Sequence, residues 1–174
     1  GGERSECGPA AARFGGVCCS VPSHWKEPDN AGGNASLCEV RVCNQHSILV
    51  AGLGIRRLGQ SLIKEVTAEG LNVTMLISHT HWDHIQGFPF FVPAYHPKVN
   101  IRILGYEGSV HGLRGALFEP MQPAFFPVAL SQMATHLTFV EMDDMQFDLD
   151  GSVKVRTIFA NHPALCLGHR LCTP

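Results

Sequence analysis

Six consecutive residues, His79-Thr80-His81-Trp82-Asp83-His84, include four side chains able to bind a metal ion. In extended backbone, residues two apart point to the same side. His79 and His81 can therefore place both imidazoles on one ion. A turn into helix after His81 would carry Asp83 and His84 in another direction, toward a second ion nearby. Imidazole together with carboxylate suits zinc, manganese or iron. Asn161-His162-Pro163 offers another imidazole just past a strand pattern ending at Ala160, placed to complete a triad with His79 and His81. Asp83 can also orient an attacking water or take its proton. The bland reading, a His-rich surface loop, fits poorly with four potential ligands in six residues directly after a buried-strand pattern.

The elements that must position these groups follow from hydropathy patterning. Val73–Ser78 is a nearly continuous apolar run, the signature of a buried strand, and it feeds straight into His79. Val153–Ala160 is a strand leading to His162, preceded by a turn over Asp148-Leu149-Asp150-Gly151. Leu37–Val42 and Ser47–Ala51 read as a hairpin around Asn44-Gln45. Ile55, Leu58, Leu62, Ile63 and Val66 recur at helical spacing, which predicts an amphipathic helix over 55–68, stopped by Gly70. Further expectations are a short helix over 83–90, strands over Val99–Leu104 and His136–Met142, a helix over 109–118 and an irregular, Pro-rich segment over 119–130. Residues 1–16 lack periodicity and read as a mobile tail; 20–36 reads as a loop, and 17–174 as one domain. Strands alternating with helices, plus hairpins, define an α/β fold with a mixed sheet.

With 174 residues, 45% hydrophobic and 16% charged, the chain suits one globular domain and not a disordered segment. A formal net charge of −2 gives no indication of nucleic-acid binding, and no apolar run reaches the length of a membrane span. Seven cysteines, an odd number, point to reduced thiols and a cytoplasmic setting. Cys38 and Cys43, an odd spacing apart on or beside a strand, face opposite sides and are poorly placed to share a metal. Gly52-Leu53-Gly54-Ile55-Arg56-Arg57 lacks the third glycine of a dinucleotide fingerprint and reads as a strand-to-helix turn. No Gly-x-Ser-x-Gly is present, which disfavours a serine hydrolase. Phe88–Phe91 with Phe125-Phe126 reads as core or pocket wall.

The His79–His84 run, within the longer stretch Leu76–Phe91, resembles the H-x-H-x-D-H signature of the metallo-β-lactamase fold superfamily of metal-dependent hydrolases. The longer stretch is similar to a bacterial subgroup near the RNase Z and cyclic-nucleotide phosphodiesterase branches. Gly32-Gly33-Asn34, Gly52–Arg56, Phe126-Pro127-Val128 and Asn161-His162-Pro163 followed by Gly168 add to the likeness, which extends over about 16–171. It implies the N-terminal portion of an αββα sandwich. It also implies two divalent ions, zinc by default: His79, His81 and His162 would hold the first, and Asp83 and His84 would begin the second site. The implied activity is attack of a metal-activated hydroxide on a phosphodiester or other small-molecule substrate. Thioester, lactone or lactam hydrolysis on the same scaffold is the alternative within this class. A catalytically impaired metal-binding remnant is the alternative outside it.

The departures bear on that last reading. Val50 stands where the superfamily usually has a supporting Asp, Cys18-Cys19 where relatives tend to have Arg-Gly, and His169 where they tend to have Tyr. The superfamily's bridging Asp and last metal-binding His fall beyond Pro174. The expectation is therefore an incomplete second site and poor catalysis by this chain alone.

Overall fold

The computed structural model describes residues 11–14, 36–42, 45–106, 112–142, 145–149 and 153–172. Cys18-Cys19, Gly32-Gly33-Asn34, Cys43, Asn44 and Asp150-Gly151, singled out above, lie outside the described residues. Six strands form one mixed sheet: β1 (Ala11–Phe14), β2 (Cys38–Val42), β3 (Gln45–Ile48), β4 (Leu71–Leu76), β5 (Val99–Tyr106) and β6 (His136–Met142), in spatial order 1-2-3-4-5-6. The first three pair antiparallel, and β3 to β6 run parallel. A second, antiparallel sheet holds β7 (Gln146–Leu149), β8 (Val153–Phe159) and β9 (Leu167–Cys172).

β4, β5 and β6 overlap the strands expected there, with both faces of the central sheet covered, whereas β3 runs over Gln45–Ile48 instead of the expected Ser47–Ala51 and takes in Gln45, expected in the turn. On one face lie α1 (Ile55–Leu62) and α3 (Gly112–Phe118) with a chain of short turns. Ile55, Leu58 and Leu62 of α1 pack there with Val73, Met75, Ile101 and Ile103, while Arg56, Arg57 and Gln60 face outward. On the other face, Leu76, Leu104 and Met142 meet Leu149, Val153 and Val155 of the second sheet. Helix, sheet and sheet are thus three successive layers.

Several expectations shift. Residues 11–14, read as tail, form β1 by pairing with β2. The helix expected over 55–68 ends at Leu62 and tightens into a 3₁₀ turn over Ile63–Glu65, after which Val66 is extended. Asp148 and Leu149, expected in a turn, belong to β7, which pairs with β8. The proposed helix over 83–90 is a single turn, α2 (Trp82–Ile85), followed by a separate 3₁₀ turn over Phe88–Phe90. β9 was not foreseen, since Leu-Gly-His-Arg-Leu-Cys has little strand patterning of its own; β8 supplies its hydrogen bonds. Phe88 and Phe91 are fully buried, whereas Phe125 is 78% exposed and belongs to neither core nor wall.

Four charged or ionisable residues gather at the β2–β3 side of the central sheet. Glu39, fully buried, accepts hydrogen bonds from Arg41 (2.8 Å) and His46 (3.0 Å), and Arg41 reaches on to both carboxylate oxygens of Glu65. Burial pushes the Glu39 carboxyl up, but the bonds from His46 and Arg41 outweigh it and hold the group below its ordinary range.

Candidate metal centre

β4 and β8 belong to different sheets, yet their C-terminal ends lie together. Leu167 N–H, at the start of β9, donates to the Ser78 carbonyl at 2.8 Å, and Ile77 N–H donates to the Leu104 carbonyl at 2.8 Å. The chain leaving β4 bends at Ser78, is extended at His81 (φ −60°, ψ 144°) and turns into α2 at Trp82. An extended residue at His81 suits the one-residue spacing of His79 and His81. The loop after β8 is closed at its neck by Ala160 N–H donating to the Cys166 carbonyl at 2.8 Å, and it brings in His162.

Nitrogens of His79, His81 and His162 lie within 4.8 Å of one another. Around a tetrahedral zinc ion, ligand nitrogens stand about 3.3 Å apart, so small ring rotations would close the set. His79 is 8% exposed, and its Nε2 is buried with no hydrogen-bond partner. A buried imidazole nitrogen without a partner is costly unless something takes its lone pair. Its Nδ1 lies 3.0 Å from Ser78 Oγ and 3.6 Å from Cys166 Sγ. In His162, Nδ1 lies 3.2 Å from both the Ala164 carbonyl and the Ala164 N–H. The tautomer with Nδ1–H donating to that carbonyl leaves the other nitrogen free to bind an ion.

Asp83 and His84 leave the motif on α2, as the turn into helix implies, with His84 Nε2 3.3 Å from Asp83 Oδ2. The His84 ring lies 4.1 Å from that of His79, and His84 Nδ1 is also buried without a partner. Burial and the neighbouring imidazoles push His79 down to about 4, Asp83 only partly opposing. Burial also lowers His84, with Asp83 again opposing and His81 and His162 adding to the fall. Neutral imidazoles are the form that binds metal. The donor set and the partnerless nitrogens thus fit a divalent ion held by His79, His81 and His162, with Asp83 and His84 directly beside it.

Ala51 N–H donates to the His84 carbonyl at 3.0 Å, so the segment carrying half-buried Val50 does run beside the motif. Sequence reasoning missed Ser78 and Cys166. Ser78 precedes the motif and Cys166 sits four residues after His162, but only the folded chain puts both behind one ring.

This architecture is the metallo-β-lactamase fold. Among solved structures, the chain is similar to the metallo-beta-lactamase fold protein YhfI from Bacillus subtilis, at 16% identity and a TM-score of 0.61 over 94% of this chain. It is also similar to a diphosphatase of the PhnP family, at 15% identity and a TM-score of 0.65, again over 94% of this chain. The chain spans 57% and 62% of the length of these two proteins. No family model and no curated protein matches the sequence. Among the described residues, no helix is long and apolar enough to cross a membrane.

Proposed function

We propose that the chain is the metal-binding part of a metal-dependent hydrolase acting on phosphodiesters or related phosphoryl esters. The observation that carries the reading is the convergence of His79, His81 and His162 from two sheets, with His79 Nε2 buried and partnerless. One of the solved structures named above is a diphosphatase, which favours phosphoryl substrates over lactams or thioesters. A divalent ion there supplies Lewis acidity toward a phosphoryl oxygen and lowers the pKa of water. His79, His81 and His162 bind and orient it as neutral imidazoles. Asp83, whose carboxylate lies 3.3 Å from His84 Nε2, would take the proton of the attacking water at one carboxylate oxygen. Zinc is the expected ion, with manganese or iron able to use the same donors.

The test is hydrolysis of bis(p-nitrophenyl) phosphate by the chain loaded with zinc or manganese, next to His162→Ala and Asp83→Asn. Turnover that both substitutions abolish supports the reading. Turnover that survives in both, or hydrolysis of a lactone and a thioester but no phosphodiester, overturns it. The cytoplasm, where thiols such as Cys38, Cys166 and Cys172 stay free, is the proposed setting.

A further inference from the structure

An imidazole that binds an ion through one nitrogen must carry its proton on the other, and the group facing that second nitrogen decides how firmly the ring is held. In His79 the second nitrogen is Nδ1, and it faces two neutral groups: the Ser78 hydroxyl at 3.0 Å and the Cys166 thiol at 3.6 Å. A hydroxyl oxygen accepts well and a thiol sulfur weakly. Both are fixed by backbone as well as by side chain. Ser78 ends the run out of β4, and its carbonyl accepts the Leu167 N–H; Cys166 immediately precedes Leu167, and its own carbonyl accepts the Ala160 N–H. The loop pinned by those two bonds is the one that carries His162.

We infer that Ser78 and Cys166 are positioning residues that hold His79 as its Nδ1–H tautomer and aim Nε2 at the point shared with His81 and His162. Cys166 does more than support one ring. It comes from the His162 loop, 87 positions from His79, so it couples the orientation of one ligand to the placement of another. A shift of the loop that withdraws His162 also withdraws the thiol from His79. The inference rests on the triad being a metal site, but it makes a separate claim about the ring with no ion present.

Two measurements on the whole chain test it. Long-range ¹H–¹⁵N spectra of the metal-free protein report the tautomer of His79. Competition with a chromophoric chelator reports zinc affinity. The wild type shows Nδ1–H. Ser78→Ala with Cys166→Ala mixes the tautomers and lowers zinc affinity roughly 10–100-fold, while Cys166→Ser alone, which keeps an acceptor, stays near wild type. Ser78→Ala alone, the milder change, shifts both readouts in the same direction by less, which serves if the double variant does not fold. An Nε2–H tautomer in the wild type overturns the inference, as does wild-type zinc affinity in a folded double variant. Tautomers that respond as expected in a protein that takes up no zinc leave the positioning role intact and overturn the metal-site reading instead.

Discussion

Gly87 lies just past α2, and its backbone faces the turn that opens α1. Its N–H donates to the Ala51 carbonyl at 2.9 Å, and Ala51 N–H donates to the His84 carbonyl at 3.0 Å, a reciprocal clasp between two loops. A methyl group at Gly87 would overlap the Gly52 carbonyl oxygen and stand 2.6 Å from its carbon and 2.7 Å from Ile55 Cγ2, where ordinary contact begins at 3.4 Å. Two of these neighbours are backbone atoms, so the segments must part by roughly an ångström, as in an overpacked core. Overpacking costs about 1–3 kcal/mol, and straining the two clasp bonds adds about 1 kcal/mol each. Gly87 has φ −79°, ψ −20°, which alanine adopts freely, so the unfolded-state gain of about 0.4–1 kcal/mol works the other way. Gly87→Ala should therefore lose about 2–4.5 kcal/mol. Urea unfolding followed by far-UV circular dichroism measures this, with the slope m unchanged. The sign decides: a variant as stable as wild type, or more so, would show that the two loops are not in backbone contact and refute the reasoning.

His162→Ala should lower zinc affinity at least about 100-fold and leave the metal-free melting temperature nearly unchanged, since its ring is only half buried; chelator competition and thermal melting check the two halves. Burial holds His169 down at about 4, so between its ordinary 6.5 and 4 the unfolded chain takes up a proton that the folded one does not. Stability should then fall as pH drops through that window, by up to about 3 kcal/mol, and the fall should shrink in His169→Gln; a pH series of urea midpoints measures it. Phe88→Ala, at a fully buried side chain, should cost about 3–5 kcal/mol in the same assay. Glu39→Gln should weaken the bonds from Arg41 and His46 and flatten the loss of stability below pH 4.5, because the Glu39 carboxyl is held below its ordinary value.

The metal motif was readable because ligand type and spacing are local properties. Extended backbone at His81 followed by a helical turn is what His-x-His-x-Asp-His asks for, and the apolar run before His79 announced the strand that delivers it. β5, β6 and β8 were readable for the same reason: each buries a face with its own residues. β1 and β9 were not, because Ala-Ala-Arg-Phe and Leu-Gly-His-Arg-Leu-Cys become strands only through the neighbours that bond to them. The helix expected through residue 68 overran because helical spacing persists through Ile63 and Val66, while the backbone tightens after Leu62. Glu65 joins Glu39, Arg41 and His46, and Cys166 joins Ser78 behind His79, across long stretches of sequence. No local pattern carries them.

The long separation between the two halves of the triad also has a kinetic meaning. Parallel pairing from β3 to β6 and closure of the second sheet against the end of β4 are both non-local, and such contacts form slowly because loop entropy is lost before they are rewarded. The Leu167–Ser78 bond anchors the loop that carries His162, so the full triad belongs to the docked arrangement of the two sheets. An ion held by all three nitrogens therefore favours that arrangement. It acts as a latch on the finished fold, adding stability as RT ln(1 + [M]/Kd). It slows unfolding to the extent that the transition state has already released His162.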